Sequence, residues 1–140
     1  MDKPYVVGMD IGGTNSVFGI VDARGNILSV DSIKTQAYKE FGDYVAAVAE
    51  KLLPMIEAVG GTNKIKGMGI GAPNGNYHSG NIEHSANLPW KGIVPLAEEF
   101  KKTIPERGYK IYLKLASFNL GDITVYGEDI NYLVEYIHRA

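Results

Sequence analysis

The chain has 140 residues, of which 45% are hydrophobic and 21% charged; its formal net charge is −2 and it contains no cysteine. That length supports one domain with a real core, while the cysteine count rules out disulfides and thiolate metal sites and the charge offers no footing for nucleic acid or an acidic membrane as a partner. No apolar run nears the ~20 residues that span a bilayer, and a strand pattern from Tyr5 leaves no space for a signal peptide, so a soluble cytoplasmic domain is the expectation.

Tyr5-Val-Val-Gly-Met is a short β-rich run that ends at Asp10, and Ser16-Val-Phe-Gly-Ile-Val is a second. Asp22-Ala-Arg-Gly-Asn makes a turn. Ile27 to Ile33 then reads as a third strand, with Leu28, Val30 and Ser32 sharing a face. The three predict an antiparallel meander. The period changes next: Phe41, Tyr44, Val45, Val48, Leu52, Ile56 and Val59 recur at helical spacing. Pro54 is expected to bend or break that helix, and Gly60-Gly61 to end it. Lys66-Gly-Met-Gly-Ile-Gly follows a crossover helix, so it is expected to run parallel to the first strand. Ala72 to Gly92, rich in Gly, Asn, Pro and His, reads as a long ordered loop with a short strand at Asn81–Glu83. Pro95 introduces a short helix that runs to Thr103. Lys110-Ile-Tyr-Leu-Lys-Leu alternates as a fifth strand. Asp129 is placed to cap a last helix burying Ile130, Leu133, Val134 and Ile137. The expected fold is α/β, in the order βββαβαβ, with a mixed sheet and a closing C-terminal helix.

The segment from Asp10 to Asn15, Asp-Ile-Gly-Gly-Thr-Asn, carries the chemistry. A plain hairpin needs one glycine. Gly12 and Gly13 together let backbone N–H groups face an anion with no Cβ in the way. Thr14 and Asn15 add side-chain donors. Asp10, at the strand's end, has a short carboxylate suited to a hydrated Mg²⁺. The pattern reads as a nucleotide-phosphate site made by a hairpin, distinct from a Walker loop because no Gly-Lys-Ser/Thr follows. The competing reading is a glycine-rich turn with a capping aspartate.

Here the residues reach a resemblance. "GMDIGGTNSVFGIVDARGNIL" resembles the first phosphate loop of actin-like sugar kinases, and "KGMGIGAPNGNYHSGNIEHSANLPWKGIVPLAEEF" narrows this to the ROK family, the bacterial glucokinase and hexokinase type. The likeness covers roughly Lys3 to Phe100. It implies an RNase-H-like domain, two of which close over ATP and a hexose in such kinases. It also implies that Asp10 orients magnesium through water and that Gly12, Gly13, Thr14 and Asn15 approach the β/γ-phosphates of Mg-ATP. Gly71 and Asn74, in Gly-Ala-Pro-Asn, would lie along the sugar, and Asn87 would hydrogen-bond its hydroxyls. An amide suits that task because it donates and accepts in fixed geometry; turn chemistry is the competing role for Asn74 and Asn87. Trp90 reads as a core or lid anchor. Glu83 and His84 look like a catalytic pair but do not match the family's base, and His78 and His138 read as surface positions.

After Phe100 the chain departs from the family. There the fifth strand runs into Thr-Asn-Asp-Ala-Asn, whose aspartate is the general base. Here Lys114, Leu115, Ala116, Ser117 and Phe118 occupy that stretch, and none is a carboxylate. Asp122 arrives several residues late, and a turn role is its competing reading. The family's second domain, with its zinc motif, second phosphate loop and adenosine pocket, is not recognisable, and no zinc is expected. The sequence therefore predicts one domain over 1–140: a ROK N-terminal lobe over 1–100, completed by a divergent strand and terminal helix over 101–140, as a natural remnant or an engineered chimera. It would be inactive alone. A non-catalytic binding or interaction module on the same fold is the alternative, and a homodimer or a complementing second lobe is a further way to build the cleft.

Overall fold

The computed structural model describes residues 4–22, 24, 26–76, 79–104 and 110–114; at Asn76 and across 110–114 the backbone alone is described. Strand β1 (Tyr5–Ile11) lies at the centre of a five-stranded mixed sheet. It pairs antiparallel with β2 (Asn15–Asp22), and β2 pairs antiparallel with β3 (Ile27–Lys34), which forms one edge. The chain then forms a single 3₁₀ turn (Thr35–Ala37) and helix α1 (Phe41–Ala58), which returns it to the other side of β1. There β4 (Ile65–Gly71) runs parallel to β1. Three short strands follow, β5 (Gly75–Asn76), β6 (Asn81–Glu83) and β7 (Ile93–Val94), forming an antiparallel sheet of their own. Helix α2 (Leu96–Thr103) leads to β8 (Lys110–Lys114), parallel to β4 at the far edge.

The core sits between α1 and the sheet. The helical period presents Tyr44, Val45, Val48, Leu52 and Ile56 to one side, all buried. They meet the alternate residues Val7, Met9, Phe18, Ile20 and Ile33 of the strands. The opposite face of the meander holds a smaller cluster of Val6 and Val21, with Val17 and Ile27 beside it. Leu28 and Val30, on one face of β3 as expected, are each 46% exposed, so that face is not core.

The break expected at Pro54 does not occur: α1 runs unbroken across it. Proline forfeits one hydrogen bond, to the carbonyl of Glu50. Both residues are exposed, so water can serve that carbonyl instead. The helix stops at Gly60 and Gly61, with φ of 114° and 99°. Their N–H groups close on the carbonyls of Glu57 and Ile56 at 3.1 and 3.0 Å, a turn that side chains rarely adopt. The short strand expected at Asn81–Glu83 within the Ala72 to Gly92 segment is β6; it pairs with β5 and with β7 just beyond the segment, and Ile82 and Val94 are buried in the same core. The expected terminal helix, Asp122, His78 and His138 lie outside the described residues. Among the described residues no helix is long and apolar enough to cross a membrane.

Candidate functional site

The carboxyl ends of β1, β4 and β8 line one edge of the sheet, with Asp10 paired to Gly71 and Gly71 paired to Lys114. Such an edge is where open α/β sheets gather the loops that hold ligands. The expected phosphate loop and the expected sugar loop both leave from it, after β1 and after β4.

The loop between β1 and β2 is tight. Gly12 N–H donates to the Asn15 carbonyl at 2.9 Å. A Cβ on Gly12 would lie 2.7 Å from that same oxygen, so glycine is required here by close approach. Neither Gly12 nor Gly13 adopts positive φ. The carbonyls of Gly12, Gly13 and Thr14 are each held by the segment that follows β3. Thr35 Oγ1 donates to the Gly12 carbonyl at 2.8 Å, Gln36 Nε2 donates to the Gly13 carbonyl at 2.8 Å, and Thr35 N–H donates to the Thr14 carbonyl at 2.9 Å. In a trans peptide the C=O of one residue and the N–H of the next point oppositely. The N–H groups of Gly13 and Thr14 are therefore aimed away from Thr35 and Gln36, and no hydrogen bond to a described residue takes up either. Outward-facing successive backbone amides are the kind of arrangement that can hold an anion.

Below the loop runs a buried chain of hydroxyls. Tyr44 OH donates to Ser16 Oγ at 2.6 Å, and Ser16 Oγ lies 2.8 Å from Thr35 Oγ1. Each hydroxyl has one proton. Thr35 spends its proton on Gly12, so Ser16 must donate to Thr35, and Tyr44 to Ser16. The chain thus has one direction, from the helix core to the loop carbonyl. Burial pushes the Tyr44 phenol well above its usual range; the Ser16 bond acts against this and the nearby Asp10 charge adds to it. The phenol accordingly remains a donor.

Asp10 is half-buried near the end of β1. By register it shares a sheet face with Val17, and two residues back along β2 that face carries Asn15, paired to Lys34 of β3. No group of three or more acidic or histidine side chains suited to a metal occurs among the described residues. A single strand-end carboxylate fits an ion that keeps most of its water, as Mg²⁺ does.

The sugar-loop residues fall in different settings. Gly71 is buried at the end of β4. Asn74 adopts φ of 56°, and its Nδ2 donates to the carbonyls of Glu83 and His84 at 3.0 and 3.1 Å, so the turn uses both of its amide protons. Asn87 is exposed and abuts the phosphate loop: a Cβ on Gly13 would lie 3.2 Å from its carbonyl. Gln36 Nε2 donates to that carbonyl at 3.2 Å while also holding Gly13, and so ties the two loops together. Trp90 is a core residue, its ring 4.4 Å from that of Tyr44 and 5.0 Å from that of Phe41, with Nε1 donating to the Tyr38 carbonyl at 3.1 Å. Glu83 is half-buried in β6, where Ser79 Oγ donates to its carboxylate at 3.2 Å, and exposed His84 adopts φ of 54° in the bend that follows. Sequence reasoning missed Ser16, Thr35, Gln36 and Lys34. The one available signal was a polar Ser16 interrupting no turn, inside an apolar strand.

No family model matches the chain. It is 29% identical over 115 residues to the glucokinase of Thermotoga maritima, covering 81% of this chain and 34% of that protein. It is 84% identical over 19 residues to a glucomannokinase of Segatella bryantii, covering 14% of this chain and 76% of that sequence. The chain thus spans about a third of the curated glucokinase it matches. Among solved structures, the ROK hexokinase of Thermus thermophilus superposes with a TM-score of 0.61 at 27% identity, over 79% of this chain and 35% of that one. A ROK family glucokinase of Streptomyces griseus, in complex with glucose and AMPPNP, superposes with a TM-score of 0.60 at 24% identity, over 79% and 33%. The mixed sheet, with its glycine hairpin after β1, is thus similar to the actin-like ATPase fold of these sugar kinases. The glucokinase relative and the ROK-family structures each cover about 80% of this chain, consistent with an N-terminal lobe.

Proposed function

We propose that this chain is the phosphate-loop lobe of an ATP-dependent kinase acting on a glucose-type hexose. The observation that carries the reading is the glycine hairpin, whose carbonyls are tied back so that the Gly13 and Thr14 amides face outward beside Asp10. Those amides would bind the β/γ-phosphates. Asp10 would hold the water shell of Mg²⁺, which supplies charge neutralisation for a transferring phosphoryl group. Asn87, joined to the phosphate loop through Gln36, would orient a sugar hydroxyl; Asn74 has only its amide oxygen to offer. The names of the relatives, glucokinase and glucomannokinase, support glucose or mannose as acceptor.

Proton removal is the step this lobe is not built to perform. Residues 115–118 after β8 are Leu-Ala-Ser-Phe, which contain no carboxylate. That same observation favours the second reading, a non-catalytic binding module, since fold alone does not fix function. In either case a cleft needs another wall: a second copy, a separate chain or a further domain. Isotope-edited NMR with Mg-ATP tests the reading. Amide shifts confined to Gly12–Asn15, with a dissociation constant of about 1 mM, are expected. Coupled ADP-release with glucose and mannose should show no turnover by the 140-residue chain. Shifts scattered elsewhere, or none at all, would overturn the phosphate loop; turnover would overturn the missing base.

A further inference from the structure

We propose that Lys34, which the loop motif does not include, supplies the positive charge for the terminal phosphates; the inference rests on the nucleotide reading above. The hairpin from Ile11 to Ser16 contains no lysine or arginine. Two neutral amides and two neutral side chains must then face a group carrying several negative charges, and one magnesium does not cancel them. Strand β3 brings a cation to this place. Asn15 pairs with Lys34 across the β2–β3 ladder, so their side chains leave the same face of the sheet. Lys34 Nζ donates to Asn15 Oδ1 at 3.0 Å. The next residue, Thr35, donates to the Thr14 carbonyl, which fixes the end of β3 level with the loop tip.

Lys34 joins no ion pair among the described residues, whereas Lys51 and Lys102 do. An ammonium carries three protons. One goes to Asn15, and two are left on the face that Asp10 also shares. The arrangement is complementary to a metal–phosphate group: a carboxylate on β1 for the hydrated cation, amides at the hairpin, and an ammonium on β3 for the phosphate oxygens. Asn15 acts as the positioning residue, restricting a flexible four-carbon side chain to one approach.

The test uses the 140-residue chain, with Lys34→Met and Lys34→Arg followed by NMR titration with Mg-ATP and, separately, with magnesium tripolyphosphate. Lys34 is exposed, so both variants should keep the wild-type melt. Lys34→Met is expected to weaken both ligands by about three- to ten-fold, and Lys34→Arg to restore most of the loss. Raising the ionic strength from about 0.05 to about 0.3 M should weaken wild type more steeply than Lys34→Met, because one screened charge pair is gone. Equal affinity of Lys34→Met and wild type, with shifts still seen at Gly13 and Thr14, overturns the assignment of Lys34 alone. Absence of those shifts in wild type overturns the nucleotide reading and this inference with it.

Discussion

The direction of the Tyr44–Ser16–Thr35 hydroxyl chain makes an ordered prediction about stability. Tyr44→Phe removes the first donor. Ser16 still donates to Thr35 and Thr35 to Gly12, so no buried proton loses its acceptor, and one neutral hydrogen bond is lost at a cost of about 1 kcal/mol. Ser16→Ala is different. It leaves the fully buried Tyr44 hydroxyl with nothing to donate to, adding a desolvation penalty of about 1–3 kcal/mol. Thr35→Val, close in shape, removes two bonds at once. The remaining pair, Tyr44 and Ser16, then shares two protons and one usable acceptor, so one O–H is stranded whichever way they turn. The Gly12 carbonyl is only half-buried and can take a water, which limits the total to about 2–4 kcal/mol. Urea denaturation of the three variants, analysed as two-state, reads these differences directly. The order expected is Thr35→Val at least equal to Ser16→Ala, and both above Tyr44→Phe. Thr35→Ser should retain most of the stability. A Tyr44→Phe variant that loses as much as the other two would refute the directional chain.

Gly12→Ala should both destabilise the chain by about 1–3 kcal/mol and abolish Mg-ATP shifts, since its Cβ would sit 2.7 Å from a backbone oxygen. Gly13→Ala, facing the Asn87 carbonyl at 3.2 Å, should be milder, and a reversal of that order by thermal melting would contradict the loop geometry. Trp90→Ala is expected to cost about 3–5 kcal/mol as a core aromatic; a loss below about 1 kcal/mol would mean that it covers a ligand rather than the core. Asp22 accepts bonds from the backbone of Asn26, the Asn26 side chain and the backbone of Arg24, and the first of these does most to hold its carboxyl below the usual range. A carboxyl with a depressed folded-state pKa stabilises above its unfolded pKa and loses that contribution as pH falls through the folded value. Asp22→Ala should therefore melt earlier than wild type at neutral pH, with the gap closing below about pH 4; a gap independent of pH would refute the role of its charge.

The meander, the long helix and the place of the glycine loop were legible in the chain because each is a local matter. The β-rich run from Ser16 to Val21 and the 3.6-residue recurrence from Phe41 to Ile56 are set by consecutive residues, and two glycines behind Asp10 announce a tight backbone turn. What that loop is made of was not legible. Thr35 and Gln36 lie 23 residues from the carbonyls they hold, Tyr44 lies 28 from Ser16, and Gln36 lies 51 from Asn87. Nothing in a polar residue after a strand says which carbonyl it will meet. That depends on the register of β2 against β3 and on how α1 seats Tyr44 under the hairpin. The helix at Pro54 shows the same division: proline chemistry predicts a lost bond, but solvent at Glu50 and a buried opposite face decide that the helix continues. Local periodicity is written in neighbours along the chain. The partners of a side chain's proton are chosen by packing between segments, and only the folded arrangement brings those segments together.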